Sequence, residues 1–176
     1  MAVPLIKTKR LVLRQIVPSD APALHDVLSD VELMTWWSSA AHTTLVETEV
    51  YVGRNASDTD GLHCWAITEA GLRALGWVVL IEKRTGVAEI GYILSRDYWG
   101  TGYAREAVSA VVDHGFDMLR YRRIFADVDP ENASSIRLLE SIGFDREGRL
   151  RAEWETHIGV RDSLIFGLLK TDHRAT

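Results

Sequence analysis

Ser95-Arg96-Asp97-Tyr98-Trp99-Gly100-Thr101-Gly102-Tyr103-Ala104 is the stretch whose reading decides the fold. Before it, Val87 to Leu94 is apolar, rich in branched and aromatic residues, and reads as a buried strand. After it the period becomes that of a helix. Ala104, Val108, Val111, Val112, Gly115 and Leu119 fall on one stripe, with Arg105, Glu106, Ser109 and Asp113 off it. Strand, glycine turn and helix in this order can aim several backbone N–H groups at one point, at the positive end of the helix dipole, which suits a phosphate. Taken alone, the same glycines also serve an ordinary tight connection.

Working upstream, Arg10 to Ile16 reads as a strand carrying Leu11 and Leu13. Ser19 or Asp20 can cap a helix running to Leu28, with Pro22 in its first turn and Ala23, Leu24, Val27 and Leu28 as its stripe. Val31 to Trp37 is apolar and irregular. A second helix is expected over Thr43 to Arg54 on Leu45, Val46, Val50 and Tyr51, followed by a loop from Asn55 to Gly61. Leu62 to Glu69 and Leu75 to Lys83 read as a hairpin, and the short connections from there to Val87 favour antiparallel pairing. Downstream, Arg123 to Val128 reads as a strand and Asp129-Pro130-Glu131-Asn132 as a turn. The turn leads into a helix on Ile136, Leu138, Leu139 and Ile142 that Gly143 stops. Phe144 to Trp154 and His157 to Leu169 close the chain as strands. The resulting order, β-α-α-β-β-β-α-β-α-β-β, implies a mixed α/β fold with a largely antiparallel sheet. No repeat or linker divides it, so residues 1–176 are expected to form a single domain.

Composition removes several functions. A formal net charge of -5 and a pI near 5.7 argue against a general nucleic-acid binder. The basic groups Lys7, Lys9, Arg10, Arg14 and Arg120, Arg122, Arg123 read as solvated surface. Cys64 is the single cysteine and can form no intramolecular disulfide, and no apolar run is long enough to cross a bilayer, so a soluble cytoplasmic protein without membrane contact is expected. His63 and Cys64 are adjacent on a strand and point to opposite faces, which rules out a nucleophile and base pair. The six histidines show no metal-ligand spacing, and no metal is expected. A dinucleotide fingerprint fails because Arg105 stands where its third glycine belongs, and a P-loop fails because no Gly-Lys-Ser/Thr follows.

The segment Trp99-Gly100-Thr101-Gly102-Tyr103-Ala104 resembles the acyl-CoA pyrophosphate loop of the GNAT N-acetyltransferases, Gln/Arg-x-x-Gly-x-Gly/Ala. Gly102 and Ala104 match its last two defined positions. Trp99 departs from the first, in the form seen in the branch that acetylates N-termini of ribosomal proteins. Asn132-Ala133-Ser134-Ser135 and Glu140-Ser141-Ile142-Gly143-Phe144 agree, and in element order the resemblance covers roughly Arg10 to Leu169. It implies the GNAT fold with splayed central strands, acetyl-CoA as co-substrate, and a homodimer as the usual assembly. The acceptor it implies is a primary amine, first a protein N-terminus as in the ribosomal-protein branch, with a polyamine, aminoglycoside or aminoacyl nucleotide as the alternative; a non-catalytic acyl-CoA sensor is the competing reading of another class. The pyrophosphate would lie on the N–H groups of Gly100 to Ala104, Tyr103 included, with the Thr101 hydroxyl as a further donor. The thioester carbonyl would meet a strand N–H near Ile93 or Leu94.

The remaining site residues each carry two readings. Asn132 matches the family residue that binds the pantetheine arm, and it equally suits a helix N-cap. Ser135 matches the position that protonates the departing thiolate in the ribosomal-protein branch; otherwise it is an ordinary first-turn serine. Attack by an amine needs a group that takes a proton. Glu153 lies close to where that branch carries its glutamate base, with Glu155 as alternative. Glu89 stands with Val87, Gly91 and Ile93 on one face of an apolar strand, either paired with an arginine or poised in the cleft. Trp36 and Trp37 either line the amine pocket or anchor their loop on the core.

Overall fold

Alternation gives the central strands two apolar faces, and the computed structural model, which describes residues 3–57 and 60–173, buries both. The elements are β1 (Ile6–Lys7), β2 (Val12–Gln15), α1 (Ala21–Leu28), α2 (Leu45–Asn55), β3 (Leu62–Thr68), β4 (Ala74–Arg84), β5 (Val87–Leu94), α3 (Tyr103–Asp117), β6 (Arg123–Val128), α4 (Ala133–Ile142), β7 (Asp145–Thr156) and β8 (Gly159–Leu169). They form an eight-stranded sheet in the order β1-β2-β3-β4-β5-β6-β8-β7. Every neighbouring pair is antiparallel except β5 and β6. On one face Trp65, Ile67, Val78, Ile90 and Phe166 pack with α3 and α4; on the other Cys64, Ala66, Trp77 and Ile93 pack with α1 and α2. Removing this apolar surface from water on both sides, at about 25 cal/mol per Å², is what holds the layers together.

The expected elements are present in the expected order, with β1 as an unforeseen addition on the sheet edge. Four local readings need correction. Ser109 is buried, because α3 lies flat enough on the sheet to cover Ala107 and Phe116 as well as the foreseen valines. The second helix turns a different face inward: Thr48 and Val52 are fully buried, while Val46 and Val50 are 65% and 52% exposed. Its start is set by Thr44, whose side chain accepts from Glu47 N–H while Glu47 reaches back, a capping box. Asp20 does not cap α1 with its side chain; it accepts from Val17 N–H at 2.9 Å and pairs with Arg14 at 2.7 Å. Arg10 and Arg14 are accordingly structural partners rather than solvated charges. Residues 58 and 59 of the expected loop, and the extremities of the 1–176 reading, lie outside the described residues.

What positions the site is a parting of the sheet. Strand β5 pairs with β6 only through Val87↔Arg123, Ala88↔Ile124 and Glu89↔Phe125. Beyond that, β5 follows β4 up to Leu94 and β6 follows β8 up to Val128. Gly76 allows β4 to stay close there, since a Cβ on it would come within 2.1 Å of the Ile93 carbonyl oxygen. No helix among the described residues is long and apolar enough to cross a membrane.

Candidate active site

The parted strands open a cleft of about 710 Å³ that runs through the sheet from the α4 face to the α1 face. Ile90 to Leu94 form one lip and Ala126 to Asp129 the other. Because β5 and β6 no longer pair, backbone groups of Ile90 to Leu94 on the β6 side have no strand partner.

One end of the cleft is built from backbone. Gly100 and Gly102 hold φ of 75° and 83°, the left-handed region where a side chain is strained, and Gly102 is the N-cap of α3. The first-turn N–H groups of α3 have no intrahelical partner and point out of the helix start. The loop is held from behind. Arg10 Nη1 donates to the Thr101 carbonyl at 2.7 Å and Arg10 Nε to Glu106 at 2.7 Å. Burial pushes the Glu106 carboxyl up, but donors from Thr8 and Arg10 outweigh it and hold it below the usual range. Trp99 donates its indole N–H to the Leu94 carbonyl at 2.9 Å, and Thr101 donates its hydroxyl to the Tyr98 carbonyl at 2.6 Å. The Thr101 proton is therefore spent inside the loop. Tyr103 stacks on Tyr98 and bonds Glu69. Trp99, Gly100, Gly102 and Ala104 line the cleft; Thr101 and Tyr103 support it from outside.

Across the opening, Asn132 and Ser135 line the cleft at the start of α4. Asn132 Oδ1 accepts from Ser135 N–H at 3.1 Å and from the Ser134 hydroxyl at 3.1 Å, so it is the N-cap. Its oxygen serves the helix, which leaves its amide N–H groups for the cleft. The Ser135 hydroxyl lies 2.6 Å from the hydroxyl of Tyr92.

The other end is built from side chains. Trp36 and Trp37 both line it. Trp37 is also an anchor, donating to the Tyr51 hydroxyl at 3.2 Å and meeting Trp77 edge-on at 5.8 Å. The Arg161 guanidinium lies over Trp36 at 5.6 Å and pairs with Asp129 at 2.7 Å. Burial raises the Asp129 carboxyl, and Arg161 together with the Glu131 N–H more than reverses this. Asp127 accepts from Trp154 Nε1 at 2.9 Å and from the Ser163 hydroxyl, both neutral donors. Among the described residues no basic group pairs with it. Asp127 and Tyr92 were missed from the sequence. The signal available for Asp127 was strand alternation, which turns it away from the buried Ala126 and Val128 and toward the tryptophans.

The glutamates stand apart from these walls. Glu89 pairs with Lys83 at 2.9 Å, a lysine in place of the expected arginine, and is not part of the cleft lining. Glu153 and Glu155 are exposed on β7, Glu153 inside a bulge between Leu150 and Trp154 where Ala152 has φ 51°. Among the described residues no cluster of His, Cys, Asp and Glu could hold a metal ion.

A cleft between parted strands, with a glycine-capped helix on one lip and an Asn-capped helix on the other, invites comparison with known folds. Residues 10–145 match the family model described as acetyltransferase (GNAT) domain. The chain belongs to the GNAT family. It is an acetyl-CoA-dependent N-acetyltransferase. It is 34% identical over 172 residues to the uncharacterized N-acetyltransferase p20 of Bacillus licheniformis, covering 94% of this chain and 96% of that protein. Among solved structures it resembles a GNAT-family acetyltransferase from Bacillus anthracis, with TM-score 0.86, 27% identity and coverage of 96% and 99%. It also resembles a Vibrio cholerae spermidine N-acetyltransferase in complex with CoA and spermine, with TM-score 0.81, 24% identity and coverage of 94% and 98%. The GNAT fold expected from the loop is thus the fold observed.

Proposed function

We propose that this GNAT enzyme, acting through a single domain over residues 1–176, moves the acetyl group of acetyl-CoA directly to a primary amine held against Asp127. The observation that carries the reading is the two-ended cleft: a donor end made of loop and helix N–H groups, and an acceptor end made of tryptophans and one carboxylate without a cation. The pyrophosphate rests on the Gly100 to Ala104 loop through its cleft-lining residues Gly100, Gly102 and Ala104, the Tyr103 N–H being given to Thr101 Oγ1 at 3.3 Å, and the pantetheine arm rests on Asn132. The thioester carbonyl lies against β5 at Ile93 or Leu94, where a donor stabilises charge developing on oxygen. Asp127 draws in the ammonium form of the acceptor and takes its proton, and Ser135 returns one to sulfur. Glu153, beside Trp154 at the rim, is the alternative base; Glu89, engaged by Lys83, is the least suited.

For the acceptor, the likeness of Trp99 to Ala104, Ser135 and Glu153 to the ribosomal-protein branch supports a protein N-terminal amine. A small polyamine is favoured by a separate observation, the carboxylate of Asp127, with no basic partner among the described residues, in the cleft that Trp36 and Trp37 also line. A thiol-release screen of N-terminal peptides and polyamines decides between them. Release with peptides alone supports the first and with polyamines alone the second; no release with any primary amine refutes both.

A further inference from the structure

Ser135 reaches the cleft from the first turn of α4, where Asn132 fixes its main chain through the 3.1 Å bond to its N–H. Nothing in that cap directs the Ser135 hydroxyl. What does so is Tyr92, from the opposite lip. Tyr92 stands on β5 beside Ile93, on the face that packs with α3 and α4. Its hydroxyl lies 2.6 Å from Ser135 Oγ and 3.4 Å from the Ser135 carbonyl oxygen. Both residues line the cleft, so the two hydroxyls meet across the gap where the strands part.

A hydroxyl carries one proton and two lone pairs. The Tyr92 proton needs an acceptor, and the oxygens within its reach among the described residues both belong to Ser135. When Tyr92 donates to Ser135 Oγ, the serine's own proton is left to point into the cleft. Burial pushes the Tyr92 phenol up, against the opposing bond from Ser135, so it keeps its proton through the neutral range.

We propose that Tyr92 is the second member of a two-hydroxyl relay that protonates the leaving sulfur through Ser135, an inference that rests on the function proposed above. The amine lone pair forms the N–C bond and the carbonyl π pair moves to oxygen. As that pair returns, the C–S bond breaks with its electrons on sulfur. Sulfur takes the Ser135 proton while Ser135 Oγ takes the Tyr92 proton, so the charge comes to rest on a phenolate rather than an alkoxide. The phenolate then recovers, by way of Asp127 and solvent, the proton that the acceptor nitrogen releases as the amide forms. Even with burial pushing it up, the phenol is the stronger acid of the two hydroxyls, which is why a serine acid gains from having one behind it. Tyr92 thus acts on the reaction through Ser135, as a positioning and proton-supplying residue.

The test is Tyr92→Phe, which keeps the ring and its packing. With the best amine at saturation, the single-turnover rate is expected to fall roughly 10- to 100-fold while the acetyl-CoA Kd stays within twofold. In mixed light and heavy water, the wild-type rate is expected to trace the curve of two protons in flight and the variant a straight line. Ser135→Ala should cost at least as much, and the double variant no more than Ser135→Ala alone, as for residues that act in series. A Tyr92→Phe rate within twofold of wild type, or losses that multiply in the double variant, overturns the relay while leaving the proposed function standing. Wild-type protein that releases no CoA with any primary amine overturns the proposed function, and the relay with it.

Discussion

The two ends of the cleft are made of different material. The donor end is one continuous stretch, Trp99 to Ala104, whose contribution is backbone direction, supported by Arg10 and Glu106 from behind. The acceptor end gathers Trp36, Trp37, Asp127, Trp154 and Arg161 from segments far apart in the chain, and its contribution is side-chain chemistry. A backbone site for an unchanging ligand tolerates change in its side chains but not in its dihedral angles. A side-chain site does the reverse, so one fold can keep its donor and change its acceptor.

The sharpest way to break this contrast is a substitution that disturbs the backbone of the loop. Gly102→Val places a branched side chain at φ 83° with its Cβ 3.3 Å from Arg10 Nη2. Acetyl-CoA affinity measured by calorimetry is expected to drop at least about 100-fold, with helical content by circular dichroism preserved. Unchanged affinity would mean the loop does not hold the donor. The counterpart at the other end is Asp127→Asn. It should lower kcat/KM for the amine roughly 100-fold and leave the acetyl-CoA Kd within twofold. Glu153→Gln and Glu89→Gln, measured beside it, should each cost less. A larger loss in Glu153→Gln would transfer the base to the rim.

The paired tryptophans separate wall from anchor. Trp37 is tied to Tyr51 and Trp77, so Trp37→Ala is expected to lower unfolding free energy in urea by about 3 kcal/mol. Trp36→Ala should cost under about 1 kcal/mol and raise the amine KM several-fold. Equal destabilisation by both would make Trp36 an anchor too.

The smallest effect concerns pH. The folded-state pKa of Glu106 is lowered, so its contribution is fully present above the ordinary carboxylate range and is lost as pH falls through the lowered value. Thermal stability of wild type should therefore decline more steeply below about pH 4 than that of Glu106→Gln. Parallel curves would remove Glu106 from the support of the loop.

The same difference in material explains what the sequence reveals. Order of elements, antiparallel meander and glycine loop are local patterns, and each was legible. A change of period and two glycines mark a helix from Ala104, one residue from its observed start at Tyr103. The face of α2 was not legible: Leu45, Val46 and Val50 make a plausible stripe, yet tertiary packing turns Thr48 and Val52 inward. His25 and His42 both bond the buried Thr48 hydroxyl, at 2.8 and 2.9 Å, which lets a polar residue occupy the core. Asp127 and Tyr92 escaped for a related reason. Alternation marks Asp127 only as lying opposite Ala126 and Val128, nothing near Tyr92 singles it out, and their roles arise only where β6 meets β7 and β8, and where β5 meets α4. The carboxylates that stood out along the chain were instead Glu89, which Lys83 occupies, and Glu153, which the β7 bulge carries.

Both ends of the cleft must be filled at once if the amine attacks the thioester directly. Initial rates of CoA release, measured while acetyl-CoA and the best primary amine are varied together, test this most directly. Double-reciprocal lines that intersect are expected, with no burst of free CoA before amine is added. Parallel lines with such a burst would mean an acetylated enzyme intermediate, and would contradict direct transfer across the parted strands.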